Sequence, residues 1–406
     1  MLKKFFIILI LIVFVFPLCG CYDSRGIETL AYVVALGIDK GTSNTYKLTL
    51  QIALLSQDNS SNSSSQSNTS TVMSVECSTV DSGISLINSY ISKQVNLSHC
   101  KAVIISETLA YEGVSECLFP LINNTQIRPD CNIIIARCDA YDFLKNSKPT
   151  LEAISARYYE LILNSSEYTA YTQNLYLSDF YTDMISTTTQ ATTILGGINA
   201  EKINSSQYKA ATALDGDYKA GDTPVETKNH VENMGLAVFH GDKIVGELNN
   251  TETLCHMLTI NRLKNATITI PNPYNFENNV SLYIGLGKKT KKYVHFANNT
   301  PYIECDFYVV GNVLTLDNTI DLTNNEVIQT LEEYASSYLE QNISEYLYKT
   351  SKEFKSDIAN FGSIVLPRYL TWDEWIASDW LNNYQNAFFD VNVTVNIRSG
   401  YLFTKF

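Results

Sequence analysis

Histidine is scarce in this chain, and the five that occur (His99, His230, His240, His256, His295) are scattered, with no His-x-x-x-His pair among them. A helical zinc site of the protease type is therefore unsupported. The nine cysteines include no Cys-x-x-Cys pair. Setting Cys19 and Cys21 aside leaves an odd seven, which argues against a disulfide framework. Cys100 and Cys131 each open an apolar strand-like run, where a thiol acts as a small hydrophobe. Basic residues are in deficit, 29 against 42 acidic, for a formal net charge of -13. Such a body is repelled by anionic lipid and by nucleic-acid phosphates, so no nucleic-acid partner is expected.

Catalytic motifs are equally thin. Gly285-Leu286-Gly287-Lys288-Lys289 hints at a phosphate loop, but the first glycine of that pattern would fall at Leu282. It reads as a strand end and turn. Ser206-Gln207-Tyr208-Lys209 fits Ser-x-x-Lys, yet the Ser-Asp-Asn and Lys-Thr-Gly partners of acyl-serine enzymes are missing. No enzyme, cofactor or metal is expected.

Long apolar runs are absent too, apart from one near the start. Phe5 to Phe16 is a 12-residue apolar stretch after Lys3 and Lys4, closed by Pro17. A bilayer span needs about 20 such residues, so this one reads as a secretory signal. It ends in Leu18-Cys19-Gly20-Cys21, which resembles a bacterial lipobox. That resemblance implies cleavage after Gly20, a diacylglyceryl group on Cys21, and a mature chain of net charge -15 once Lys3 and Lys4 are gone. Acyl chains such as palmitate contribute about 0.8 kcal/mol per buried CH2, and one alone holds weakly. Two or three on Cys21 would secure the protein to membrane lipid.

With 45% apolar residues, a chain of this length can bury a sizeable core over two or three domains. Leu30 to Asp39 is apolar on both faces, as a central strand would be. Tyr46 to Leu54 alternates, and Gly41 to Asn44 turns the two into a hairpin. Residues 56–71 are almost entirely Ser, Asn, Gln and Thr and should form a loop. Strand and helix then alternate: strand from Val72, helix capped by Asp81, strand from Lys101, helix from Glu107 to Leu118, strand from Asn132, helix from Ala140. Helices from Glu152 and Asn174 and a strand from Ala191 follow. Gly235 to Leu248 is a second hairpin, turning at His240-Gly241-Asp242, with a short helix from Thr251. Val280 to Leu286 and Ile303 to Val309 alternate as strands. In the helix from Asn325, Val327, Leu331, Ala335, Leu339, Ile343 and Leu347 form a row that drifts around the axis and so meets more than one neighbour. Thr371 and Glu374 suit a capping box, and Phe389 to Arg398 closes as a strand. The fold class is α+β, multidomain, with mixed β-sheets and packed helices on an N-terminal lipid anchor. Its expected parts are signal 1–20, an α/β domain 21–200, a middle domain 201–275 that could be continuous with the next, and a C-terminal α+β domain 276–406.

Trp372, Trp375 and Trp380 are the three tryptophans, spaced with Ile376 to share one broad helix face. That face either pins the last helix to its sheet or serves as a partner or membrane interface, where Trp is enriched.

Five separated motifs carry a family resemblance. They are Gly20-Cys21-Tyr22-Asp23-Ser24-Arg25 with Ile27-Glu28, Leu36-Gly37-Ile38-Asp39, Lys101 to Glu107 with Arg128-Pro129-Asp130, the Gly235–Leu248 segment, and Asp357-Ile358 with Phe361-Gly362. In order and spacing the chain resembles the Ger(x)C family, the C-subunit lipoproteins of spore nutrient germinant receptors. Tyr22 and Gly26 depart from the family's usual Trp and acidic residue. The resemblance implies a non-enzymatic subunit on the outer face of the inner spore membrane, beside integral membrane A and B subunits. A substrate-binding lipoprotein of an importer is the alternative, and it would need two similar lobes around a cleft.

Overall fold

The computed structural model describes residues 26–54, 70–149, 151–152, 155–199, 217–225, 227, 229–314 and 321–398, with Lys3, Lys4 and Phe6. The lipobox and Cys21, the Ser206–Lys209 motif and most of the polar stretch after Leu54 lie outside these residues.

Strands β1 (Leu30–Lys40) and β2 (Tyr46–Ala53) form the expected antiparallel hairpin, and β3 (Ser70–Cys77) pairs with the outer side of β2. Helix α1 (Val80–Tyr90) follows, then the short β4 (Gln94–Asn96), which runs parallel to β1. The cap of α1 is Thr79 rather than Asp81. Thr79 and Ser82 exchange side-chain bonds with each other's backbone, while Asp81 sits in the first turn, where the helix dipole favours an acid. Strand β5 (Ala102–Ser106) lies parallel to β1. The single helix expected from Glu107 to Leu118 is two, α2 (Glu107–Glu112) and α3 (Ser115–Asn123). Gly113 separates them at φ 131°, a conformation that side-chain-bearing residues rarely adopt and no helix contains.

Strand β6 (Asn132–Ala136), helices α4 (Ala140–Asn146), α5 (Ser155–Leu161) and α6 (Leu177–Met184), and strand β7 (Thr192–Ile198) continue the alternation. The hairpin β8 (Val231–His240) and β9 (Lys243–Leu248) then completes a nine-stranded sheet ordered β3-β2-β1-β5-β6-β7-β8-β9, with β4 beside β1. Its centre is parallel and its flanks antiparallel. Every residue of β5 and β6 is buried, because helices or the second sheet cover both faces.

Helix α7 (Asn250–Thr259) starts at an Asn249–Glu252 capping box. Strands β10 (Ala266–Asn272), β11 (Asn275–Ala297) and β12 (Thr300–Val313) make an antiparallel meander. The segment 201–275, expected as a middle domain, thus gives β8 and β9 to the first sheet and β10 to the second. Gly285 to Lys289 is neither strand end nor turn. It lies inside β11, whose pairing with β12 slips on either side of Lys288.

Helix α8 (Asn325–Tyr348) buries Leu331, Ala335, Leu339, Ile343 and Leu347, the expected row. After the short helices α9 (Gly362–Val365), α10 (Trp372–Ala377) and α11 (Trp380–Asn383), strand β13 (Phe388–Ile397) joins β12 in parallel. The outer edge of β13 is bonded to α8. Val393 N–H donates to Glu340 Oε1 (3.0 Å), Val395 N–H to Ser336 Oγ (3.1 Å) and Ile397 N–H to Glu332 Oε1 (2.7 Å). Four helical residues rise about 6.0 Å and two strand residues about 6.6 Å, so the two ladders keep step.

The two sheets differ in strand number and connectivity, and do not form the pair of similar lobes that an importer's binding protein would need. Among the described residues, no helix is long and apolar enough to cross a membrane.

Candidate functional site

Three of the described motif acids, Asp39, Asp242 and Asp357, sit at joints between elements distant in the chain. The densest joint is built by residues 355–362. Lys355 (φ 53°) and Asn360 (φ 57°) turn the backbone through left-handed conformations on either side of Asp357. The Asp357 side chain is fully buried. Its Oδ1 accepts from Phe361 N–H (3.1 Å), and its Oδ2 accepts from Gly362 N–H (2.9 Å) and Trp380 Nε1–H (2.8 Å). One carboxylate thereby starts α9 and fixes the α11 indole. Burial raises its pKa above the ordinary carboxylate value, against the opposing pull of these three donors and of Lys292.

The main chain of the same segment reaches the first sheet. The Asp357 carbonyl accepts from Thr189 Oγ1 (2.9 Å) and Gln190 N–H (2.9 Å), just before β7. Ser356 Oγ donates to the Phe239 carbonyl (2.6 Å), and His240 Nδ1 lies 3.0 Å from the Lys355 carbonyl, both at the end of β8. Trp375 Nε1 adds a bond to Thr187 Oγ1 (2.9 Å). Buried groups so fully paired hold the two sheets in one arrangement.

Two more motif acids act alike. Asp39 is buried on β1, and its oxygens accept from Ala140 N–H (2.6 Å) and Tyr141 N–H (3.0 Å), capping α4 from a strand 101 residues away. Burial also raises its pKa. Asp242, in the β8–β9 turn, accepts from Ser115 Oγ (2.6 Å) through its side chain and from Val114 N–H (3.0 Å) through its carbonyl, at the start of α3. Gly235, at φ 86°, serves the same hairpin, because a Cβ there would strike the Leu248 carbonyl oxygen. Arg128 and Asp130 form a two-bonded exposed pair (2.8 and 2.7 Å).

The three tryptophans do not share a face. Asp379, at φ 47° and ψ 52°, breaks the expected helix between α10 and α11. Trp375 and Trp380 are 2% and 3% exposed and bond to the joint, whereas Trp372 is 60% exposed, and Leu370 and Ile376 of the same stretch are exposed too. The burial of Trp375 and Trp380 supports the pinning role and takes them out of any surface. Thr371 does cap α10, accepting from Glu374 N–H (3.2 Å).

Six of the seven described cysteines are buried, Cys138 is partly exposed, and all are free thiols. Among the described residues, no three His, Cys, Asp or Glu side chains gather as a metal set. His256 is buried, with Nδ1 2.8 Å from the Tyr346 hydroxyl, and burial with nearby Lys292 and Arg262 lowers its pKa to about 3.

Two family models match in succession. The spore germination protein N-terminal domain covers residues 23–199, and the spore germination B3/GerAC-like C-terminal domain covers residues 234–400. The chain belongs to the Ger(x)C family. Its relatives include the putative spore germination protein YfkR of Bacillus subtilis (strain 168), 21% identical over 94% of this chain and 93% of the relative. Spore germination protein KC of the same organism is 22% identical over 95% of this chain and 92% of its own length. The crystal structure of the GerBC protein is similar at 16% identity, covering 89% of this chain and 96% of that one with a TM-score of 0.49. The Ger(x)C motif residues Asp39, Asp242 and Asp357 are engaged by backbone or side-chain donors within the fold, so this chain uses them for architecture.

The positions of these motif residues were readable in the sequence, but their partners were not. The bond from Trp380 to Asp357 crosses 23 residues and that from Ala140 to Asp39 crosses 101, so no local pattern announces either.

Proposed function

We propose that this chain is the C subunit of a spore nutrient germinant receptor, lipid-anchored through Cys21 on the outer face of the inner spore membrane. It assembles there with the integral membrane A and B subunits and has no reaction of its own. The succession of both Ger(x)C models along the chain carries this reading. The motif acids support it, since groups locked into helix starts are not free for chemistry. A net charge of -15 after signal removal favours a covalent lipid over surface charge as the means of attachment. Tethering confines the protein to a thin shell, which raises its effective concentration beside membrane partners. Leu370, Trp372 and Ile376, each exposed within one short stretch of chain, form the candidate partner surface.

Deletion in the native organism, followed by germination with defined nutrients, tests the role. Loss of the response to at least one nutrient is expected, and restoration by the wild-type gene but not by Cys21→Ala would tie it to the anchor. An unaltered response to every nutrient, in a strain that lacks paralogues, would overturn the proposal.

A further inference from the structure

Several element ends meet at one margin of the first sheet. Pairing puts the start of β1 beside the start of β4 (Leu30 opposite Gln94) and the end of β2 beside β1 (Ile52 opposite Val33). It also puts the start of β3 beside the end of β2 (Ser70 opposite Ala53). Helix α1 ends there too, since only Ile91 to Lys93 separate it from β4. Between these ends opens a groove of about 240 Å³, with Leu30, Ile52, Leu54, Met73 and Ile91 in its lining. Of its eleven lining residues one is charged, Lys93, and none is acidic, in a chain with 42 acids.

Apolar side chains continue outward from the groove. Leu54 is exposed on its lining. Leu86 and Tyr90, one turn apart on α1, are both exposed, Tyr90 at 84%. Ile27, in the turn that enters β1, is 68% exposed. Residues 56–69, which join β2 to β3, contain no apolar residue and so offer nothing to fill the groove.

The proposed anchor stands next to this margin. Cys21 precedes Gly26 by five residues, a tether of at most about 18 Å however it is arranged. Strand β1, at about 3.3 Å per residue, then carries the chain roughly 36 Å toward the opposite margin. Held so closely, the groove stays beside the lipid. Helix α2, which follows the far end of β5, stands away from it.

We propose that this margin makes a second, direct contact with the bilayer, in which the groove and its exposed rim of Ile27, Leu54 and Tyr90 bury lipid hydrocarbon and Lys93 reaches the headgroup phosphates. The inference rests on the acyl anchor proposed at Cys21, and adds the orientation in which that anchor holds the body. Tyrosine and lysine both suit such an interface, since each joins an apolar body to a polar tip. One acyl chain alone holds weakly, so further apolar burial strengthens the attachment. A groove without acids also spares this margin the repulsion that anionic lipid exerts on the rest of the chain.

Fluorescence quenching in vesicles tests it. The purified lipidated chain, its N-terminal peptide checked for the acyl group by mass spectrometry, is reconstituted into phosphatidylcholine vesicles with or without brominated acyl chains, which quench indole on contact. Tryptophan is added singly at exposed positions, and the wild-type signal is subtracted. Leu54→Trp and Tyr90→Trp should lose most of the added emission in brominated vesicles and shift it to shorter wavelength. Tyr111→Trp, exposed on α2, should lose none. Leu54→Asp with Tyr90→Asp should markedly reduce the quenching of Ile27→Trp and leave the melting temperature unchanged, because both side chains are exposed. An unquenched Leu54→Trp in an acylated chain would overturn the contact, in favour of a protein occupant, and leave the anchor standing. Absence of the acyl group would overturn the anchor and the contact with it. Equal quenching of Tyr111→Trp, or quenching of Ile27→Trp unchanged by the two aspartates, would also overturn the contact.

Discussion

Replacing Asp357 tests whether its carboxylate organises the 355–380 segment that forms the joint. In Asp357→Ala, the N–H groups of Phe361 and Gly362 and the Trp380 indole lose their acceptor inside a fully buried site. Each orphaned donor costs about 1–3 kcal/mol, so the three together should cost roughly 3–9 kcal/mol, lessened because a buried charge disappears with the side chain. That is a large share of a total stability of about 5–15 kcal/mol. Asp357→Asn is gentler. Its carbonyl oxygen can take the place of Oδ2 and keep Gly362 and Trp380, while its NH2 group faces the Phe361 N–H. One lost bond and one opposed pair should cost about 2 kcal/mol, lessened because a buried charge disappears. Urea unfolding followed by tryptophan fluorescence reads this directly, since Trp375 and Trp380 are both buried at the joint. A double-mutant cycle with Trp380→Phe should show coupling of about 1–3 kcal/mol. An Asp357→Ala variant within about 0.5 kcal/mol of wild type would refute the clamp.

Asp183 should make stability depend on pH. Burial and Asp179 raise it from 3.8 to about 6, so the folded chain keeps a proton that the unfolded chain has already lost. Stability therefore falls as pH rises from the lower value through the higher one. Asp183→Asn should escape this loss and be more stable than wild type above pH 6, by about 1–2 kcal/mol after solvent screening. The difference should vanish toward pH 4, and thermal melts across that range check the sign. At the β13 edge, Glu340→Ala should leave the Val393 N–H unpaired and cost about 1–2 kcal/mol, with faster amide exchange at Val393 as the local readout. Burial pushes the thiols of Cys117, Cys138 and Cys305 up to about 12, so Ellman's reagent at pH 8 should react with them only after denaturant is added.

Much of the fold was legible because strands advertise themselves locally. The apolar runs at Ala102–Ser106 and Asn132–Ala136 and the alternation from Phe388 to Ile397 became β5, β6 and β13. The row on α8 was equally plain, since a packed helix must repeat its apolar contacts. Helix ends were less so. Ser78 to Asp81 offers several capping side chains, and only the folded geometry picks Thr79. Gly113 and Asp379 each end a helix through a backbone angle that the hydrophobic spacing does not encode. The joint was hidden for a different reason, because its partners come from elements as far as 188 residues apart in the chain.

The stitching of α8 onto β13 decides how this protein can meet another. Three of the amides on that margin of the second sheet already have acceptors on the chain's own helix, so an incoming polypeptide finds no template for lengthening the sheet there. To expose one it would have to peel away α8 and uncover Leu331, Leu339 and Ile343 to water. Companions are thereby directed to grip side chains on this flank. Crowded side by side under the tethering proposed above, neighbouring copies are also denied a route to fibres along this seam.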